Sequence, residues 1–319
     1  MEILDFEKLP SVQLDATIVT VGNFDGVHAG HQELIRRTVS NAKLKNLKSV
    51  VVTFFPHPTA FFQPDRVPLS ICSKAYKEKL INSLGIDALL TLGFNDKLAA
   101  LSPEEYVKTI LVKKLNPREV WIGYDFTFGK NRKGNARVMI ELAEKYGFQA
   151  NILQPQRIAS TVISSTRIRE YLLKGEVEKA ATLLNRKHTI QGFVVGGNAD
   201  GRKLGFPTIN IDVKNGLLPG RGIYSGIALV DGKEYAAAIY IGFRPTYEGN
   251  DLRVEAHLLK FAGDLYGKCV SLGFLKFHRG DIKFENICKL KVMIKLDCDA
   301  AQRDVEDYKF NHKKLPLIW

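Results

Sequence analysis

The sequence predicts two architectures in one chain: a doubly wound α/β sheet over residues 1–185, then a small antiparallel β-barrel with terminal helices over residues 186–319. Three observations carry this. In the first half, β-branched apolar runs alternate with amphipathic helical stretches, the pattern of parallel strands joined by helical crossovers. Past His188, short β-rich runs follow one another across glycine turns with no helix between them. Finally, 319 residues exceed what one hydrophobic core usually serves, so two domains are the natural division.

The run Thr17–Val21 reads as the first strand. The ten residues after it, Gly22-Asn23-Phe24-Asp25-Gly26-Val27-His28-Ala29-Gly30-His31, open an amphipathic helix with Leu34, Ile35, Thr38, Val39 and Ala42 on one face. Gly22 and Gly26 permit backbone angles and close approaches that a Cβ would block. His28 and His31, three apart at the helix start, lean toward one spot, where N–H groups and the helix dipole favour an anion such as a phosphate. A tight turn with incidental histidines is the plain alternative. A metal pair is another, but no third His or Cys lies nearby at ligand spacing.

The following elements continue the alternation. Ser49–Phe55 is a buried strand stopped by Pro56-His57-Pro58. A helix around Lys74–Leu84 precedes the strand Ala88–Leu92. Ser102-Pro103-Glu104-Glu105 is a capped helix start running to about Leu115. The strand Glu119–Gly123 leads into Tyr124-Asp125-Phe126. A helix from Asn135 to Gly147 and the strand Gln149–Leu153 close the series. Ligands of such a sheet gather at the carboxyl ends of the strands, which groups the histidine turn with Pro56, His57 and Asp125. In Val162–Arg169, Ser and Thr cap a helix over Arg167–Leu173, and the hydroxyls of Ser165 and Thr166 with Arg169 suit a polyphosphate. A plain capped helix fits equally. A helix over Glu176–Leu184 bridges to the second half.

There the predicted strands are Thr189–Val195, Gly222–Val230, Glu234–Ile241, Arg253–Leu259 and Val270–Phe277, with Asp231-Gly232 as a hairpin turn. Helices return at about 284–296 and 299–308. The stretch Gly196–Asn210 is not a Walker loop, since its Gly-Lys-Ser/Thr ending is missing. Its Gly197, Gly201 and Gly205, with Arg202 between them, could bring backbone N–H groups to phosphates; a β-turn with incidental polar residues is the alternative. Thr208 and Asn210 alternate on an extended segment, so both oxygens face one hard cation such as Mg²⁺. Glu255, between Val254 and Ala256, is either a solvated strand residue or a general base.

Composition narrows the classes. Hydrophobic residues at 45% and charged residues at 25% are ordinary for a globular protein. No apolar run reaches membrane-spanning length, and Met1–Asp5 is acidic rather than signal-like. The four cysteines form no Cys-x-x-Cys pair, which fits a reducing cytoplasm. A net charge of +12 raises nucleic-acid binding, but Lys and Arg are scattered and no nucleic-acid module is present; a basic surface also suits polyanionic substrates. Self-association has no legible signal.

The ordered motifs resemble those of the bacterial bifunctional riboflavin kinase/FMN adenylyltransferases, or FAD synthetases. The histidine turn matches Gly-x-Phe-Asp-Gly-x-His-x-Gly-His. Thr53–Pro58, Gly123–Gly129 and Ile163–Arg169 are similar to further family segments. In the second half Pro207-Thr208-Ile209-Asn210 resembles the kinase Pro-Thr-Ala-Asn, with Ile209 for the usual Ala, and Val254–Leu258 resembles Val-Glu-x-His-Leu. Gly222-Ile223-Tyr224, Leu265-Tyr266-Gly267 and Arg279 before Phe284 match as well. Two positions depart: Tyr240 stands where Asn is usual, and Met293 where Gln is.

The resemblance implies a nucleotidyltransferase-type sheet and a kinase barrel. Riboflavin and ATP would give FMN and ADP in the barrel; FMN and a second ATP would give FAD and pyrophosphate in the sheet domain. It implies Glu255 as general base, Mg²⁺ on Thr208 and Asn210, and charge stabilisation by His28, His31, Ser165, Thr166 and Arg169. Gly22, Phe24, Asp25, Gly26 and Asp125 would serve one nucleotide, the Gly197–Thr208 stretch the other, and Pro56, His57 and Arg279 the flavin. Its rivals are a nucleotidyltransferase for another phosphorylated acceptor, an FMN-only enzyme with a weakened or inactive barrel, and a non-catalytic flavin- or RNA-responsive binding protein.

Overall fold

A computed structural model describes residues 1–6, 15–62, 69–197, 200–214, 216–246 and 249–310. They form two compact units, Met1–Pro68 with Lys74–Ile163, and Leu69–Ser73 with Ser164–Trp319.

The first unit is a six-stranded parallel sheet of β1 (Glu2–Asp5), β2 (Thr17–Val21), β3 (Lys48–Phe55), β4 (Ala88–Gly93), β5 (Pro117–Gly123) and β6 (Gln149–Leu153) in the order β1-β4-β3-β2-β5-β6. β2 is buried along its whole length, as a central parallel strand must be. The crossovers are α1 (Ala29–Lys45), α2 (Pro58–Phe62), α3 (Lys74–Asn82), α4 (Asp96–Ala100), α5 (Pro103–Tyr106), which continues as a π-helix over Val107–Leu115, and α6 (Ala136–Tyr146). Local chemistry sets their ends. Ser102 and Glu105 form the capping box of α5, while Asn135 caps α6 and left-handed Gly147 ends it. From β2 the chain moves outward through β3 and β4, then returns to lay β5 on the other edge of β2. That reversal opens a crevice beyond the carboxyl ends of β2 and β5. A short antiparallel pair, β7 (Arg157–Ile158) and β8 (Thr161–Val162), follows.

In the second unit α7 (Ser165–Leu173) and α8 (Val177–Leu184) precede a closed antiparallel barrel. Its strands are β9 (Thr189–Val195), β10 (Ile209–Asp212), β11 (Gly222–Val230), β12 (Lys233–Thr246), β13 (Gly249–Leu258) and β14 (Cys269–Arg279), ordered β10-β13-β12-β11-β14-β9. A short helix, α9 (Asp200–Leu204), lies in the glycine-rich stretch, whose Asn198 and Ala199 fall outside the described residues. β12 runs five residues past the predicted end at Ile241.

The two predicted late helices are one, α10 (Ile287–Phe310). The gap between them falls at Asp297 and Cys298, but Asp297 is buried and accepts two bonds from Arg279, Nη2 to Oδ2 at 2.6 Å and Nε to Oδ1 at 3.2 Å. Its charge is satisfied without interrupting the helical backbone, and no Gly or Pro stands there to do so. Among the described residues no helix is long and apolar enough to cross a membrane, and all four cysteines are free thiols.

α8 buries Val177, Ala180, Ala181, Leu183 and Leu184. A fragment of residues 164–319 should therefore melt well above one of 186–319, which lacks that layer; equal melting temperatures would show that the two helices do not support the barrel. The longer fragment should also be acid-sensitive through His188. This residue is 1% exposed, contacts the Leu217 carbonyl through Nε2 at 2.9 Å, and is pushed down to about 4 by burial. Between the ordinary value near 6.5 and about 4, the unfolded chain binds a proton that the native imidazole refuses. Stability from this residue is therefore complete above pH 6.5 and lost as pH falls to 4, by about 3 kcal/mol in all. His188→Gln should flatten the pH dependence of the denaturation midpoint in that window by a comparable amount.

Candidate active sites

In the first unit the site begins where β2 stops. Phe24 and Val27 adopt left-handed backbone angles, φ 48° and φ 39°, and both are buried; Gly26 lies at φ 74°. For bulky residues such angles are strained and persist only where the surroundings enforce them. Those surroundings are specific. The Asn23 carbonyl accepts from Thr53 Oγ1 at 3.1 Å and from Lys77 Nζ at 3.2 Å, and Lys77 Nζ also donates to Thr53 Oγ1 at 3.2 Å. Gln32 Nε2 donates to the Val27 carbonyl at 2.9 Å.

The turn delivers His28 as the N-cap of α1, its Nδ1 accepting from the His31 amide at 3.2 Å. The two rings stack with centroids 3.5 Å apart and planes 14° from parallel, and the Phe24 ring meets His31 edge-on at 5.3 Å. A Cβ on Gly30 would come within 3.3 Å of the His28 ring, which would have to yield by a few tenths of an ångström. Asp25 is buried, whereas Asp125 is exposed just beyond the carboxyl end of β5. Pro56 and His57 follow the end of β3, where His57 Nδ1 accepts from the Thr59 amide at 3.2 Å and starts α2. Sequence reasoning did not single out Lys77. Nor did it single out the aromatic group beside His57, in which Phe54, Phe61 and Phe62 all meet Phe94 edge-on at 5.5–6.0 Å.

Ser165, Thr166 and Arg169 lie in the second unit, at the start of α7. The cap is Ser164, which accepts from the Arg167 amide at 3.3 Å, and Arg169 Nε donates to the Leu69 carbonyl at 3.0 Å.

The barrel presents a row of side chains on one face. Antiparallel register pairs Asn210 with Glu255, Glu255 with Tyr240, Tyr240 with Ile223 and, at a register shift, Ile223 with Arg279. Alternation turns Val254, Ala256, Ile239 and Ile241 into the core, and Ile209, paired with Ala256, points the same way. A cavity of about 350 Å³ lies over the row, walled by Thr208, Tyr240, Glu255 and Arg279 and roofed by Phe284 and Ile294. Thr208 Oγ1 donates to Glu255 Oε2 at 3.3 Å. His257 Nδ1 sits 2.7 Å from the Pro207 carbonyl, pinning the segment that carries Thr208.

The glycine-rich stretch is folded onto this face. A Cβ on Gly197 would overlap the Asn210 amide, and one on Gly201 the Phe206 carbonyl; Gly205 is left-handed at φ 88°, and Arg202 is exposed on α9. Asn210 Oδ1 is buried with no hydrogen-bond partner among the described residues. An orphaned amide oxygen beside a threonine hydroxyl is a hard-oxygen donor set, which fits Mg²⁺. Among the described residues no group of three His, Cys, Asp or Glu could hold a metal, so most ligands of such an ion would come from phosphates and water.

Comparison with known proteins assigns both units to a family. The FAD synthetase family model matches residues 11–167, and the riboflavin kinase model matches 184–305. Curated bifunctional riboflavin kinase/FMN adenylyltransferases align along nearly the whole chain. That of Buchnera aphidicola is 35% identical over 89% of this chain and 93% of its own, and that of Pseudomonas fluorescens is 35% identical over 89% and 92%. The Escherichia coli K12 protein is 32% identical over 92% and 95%.

The chain belongs to the bifunctional riboflavin kinase/FMN adenylyltransferase family. It phosphorylates riboflavin with ATP to FMN and adenylylates FMN with ATP to FAD and pyrophosphate. With both catalytic modules matched, the FMN-only alternative is not supported. A crystal structure from Streptococcus pneumoniae superposes with a TM-score of 0.85 at 29% identity, covering 95% of this chain and 99% of that one. That protein is named a macrolide-efflux protein. Of the two departures from the family pattern, Tyr240 lines the kinase cavity, whereas half-buried Met293 is not among its lining residues.

Lys77 and Thr53 hold the strained turn that carries both adenylyltransferase histidines. Lys77→Met should lower FMN adenylylation about 10- to 100-fold, the usual range for a lost charged hydrogen bond, and Lys77→Arg should recover part of it. Riboflavin phosphorylation by the same preparation should stay within about twofold. Flavin chromatography of the two half-reactions measures both, and parallel loss of both activities would reduce Lys77 to a general stability role.

Proposed function

We propose that Glu255 is the general base of riboflavin phosphorylation. The observation that carries this is its place on the cavity-facing row, between Asn210 and Tyr240 and in contact with Thr208. The carboxylate takes the proton of the ribityl hydroxyl as that oxygen bonds to the γ-phosphorus of ATP. The bond from the γ-phosphorus to the bridging oxygen breaks, and ADP leaves. Thr208 and Asn210 would hold Mg²⁺, which offsets charge on the phosphates. Backbone N–H groups around Gly197, Gly201 and Gly205, with Arg202, hold the nucleotide, and Arg279 orients the flavin.

In the second reaction FMN phosphate, already ionised, attacks the α-phosphorus of ATP and pyrophosphate departs. No protein nucleophile is required, so His28 and His31 act by positioning and charge stabilisation at the start of α1. Gly22, Phe24, Asp25, Gly26 and Asp125 shape the nucleotide site, and Pro56 with His57 borders the flavin. The family resemblance alone supports Ser165, Thr166 and Arg169 as further polyphosphate contacts. We assign residues 1–185 to the adenylyltransferase and 186–319 to the kinase, a division supported by the riboflavin kinase match beginning at 184. Four free thiols support a reducing cytoplasm as the working compartment, with flavins and nucleotides rather than nucleic acid or membrane as partners.

Glu255→Gln tests the proposal. It keeps size and polarity but removes the proton acceptor, so kcat for FMN formation should fall about 10²–10⁴-fold with riboflavin binding largely retained. FMN supplied directly to the same preparation should still become FAD. Wild-type kinase turnover in the variant would remove Glu255 from the mechanism.

A further inference from the structure

Tyr240 sits directly across from Glu255 on the cavity-facing row. The chain makes room for it two residues along the same strand. A Cβ on Gly242 would overlap the Tyr240 hydroxyl and ring, so the phenol lies flat over that glycine. Asp281 lines the same cavity, and its carboxylate acts electrostatically on the phenol. Asp281 belongs to the irregular segment 280–286 between β14 and α10, which gives the cavity Ile282 and Phe284.

That segment has little packing of its own: Asp281, Ile282 and Lys283 are all exposed, Ile282 at 48%. Segments with few buried contacts open at low cost, so individual tethers decide where they rest. Two are visible. At the base, Arg279 pairs with Asp297, and its guanidinium lies 5.8 Å from the centre of the Phe284 ring. Farther out, the Asp281 carboxylate acts on the Tyr240 phenol from the same cavity lining. Burial, together with the Asp281 and Glu255 carboxylates, raises the phenol to about 12, partly opposed by Arg221. Tyr240 is thus a protonated donor throughout the neutral range.

We propose that Tyr240 is a positioning residue for riboflavin: its hydroxyl ties Asp281, and with it the Ile282–Phe284 wall, against the cavity beside Glu255. The inference rests on the kinase activity of this unit. Because the hydroxyl interacts with Asp281, it should act on flavin binding and leave proton removal by Glu255 alone. The substrate portion that meets Ile282 and Phe284 is apolar, in keeping with the flat ring system of a flavin.

The test uses the full chain with Tyr240→Phe, which keeps the ring over Gly242 and deletes the donor, together with Asp281→Ala and the double variant. Riboflavin phosphorylation gives KM and kcat, riboflavin fluorescence quenching gives Kd, and conversion of supplied FMN to FAD controls for folding. Each single variant should raise riboflavin Kd and KM about tenfold, with kcat and the KM for ATP within about twofold. The double variant should be no worse than either single one, because both remove the same interaction. An unchanged riboflavin KM in Tyr240→Phe, additive losses in the double variant, or a fall in kcat at constant KM would each overturn the proposal. Absence of riboflavin turnover in the unaltered chain would instead remove the kinase reading, while the quenching comparison would still report on the tether.

Discussion

The kinase half depends on the register of its antiparallel barrel. Pairing Asn210 to Glu255, Glu255 to Tyr240 and Tyr240 to Ile223 draws one line of ligand-facing side chains across the wall. The residues between them, Val254, Ala256, Ile239 and Ile241, are at most 2% exposed and form the core. A slip of one residue would exchange the two sets, driving the Glu255 carboxylate into the interior and Val254 onto the substrate. Burying that carboxylate unpaired would cost several kcal/mol, so the apolar core and the cavity-facing row are enforced together. Closure of the sheet removes free edges at which the register could drift.

The adenylyltransferase half reaches precision differently. Its parallel sheet leaves a crevice where the strand order reverses between β2 and β5, and the histidine turn is fixed there by bonds to neighbouring elements rather than by sheet register. Phe24 and Val27 hold unfavourable backbone angles because Thr53 on β3, Lys77 on α3 and Gln32 on α1 each take a carbonyl of the turn. Strain of about 1–3 kcal/mol per residue is typical of such positions and is offset by this surrounding network. The result is a stacked imidazole pair whose geometry is set before any substrate arrives.

What was legible in the sequence follows from whether its cause was local. Thr189–Val195, Gly222–Val230 and Gln149–Leu153 matched residue for residue, because apolar runs bounded by glycine or polar turns announce themselves. The helix between Asn135 and Gly147 did too, since both ends are set by single capping residues. β1 was not foreseen: four residues with no period pair with β4, more than eighty residues away. The continuity of α10 was hidden for the same reason, because Asp297 is made tolerable by Arg279, a partner on another element. In the sites, motif residues stood out as glycines, histidines and hydroxyls at close spacing. Lys77 did not, because it acts across a distance in sequence that no local pattern records.

The difference between the two sites follows from the acceptors. FMN brings an ionised phosphate, so its site has only to hold two anions in line, a task that the proposed helix start with its fixed rings and backbone donors can meet. Riboflavin brings a neutral hydroxyl, which must lose a proton as it attacks. On the proposed assignment, a carboxylate is therefore needed beside the residues that would hold the cation. Glu255 on β13 and Asn210 on β10 are direct cross-strand partners, and Thr208 is bonded to Glu255, so the spacing of adjacent strands fixes how far the proposed base lies from the proposed cation ligands. A base carried on a loop would let the separation vary with every opening of the site. The proposed base, carried on a closed barrel, does not, which leaves movement to the irregular 280–286 segment.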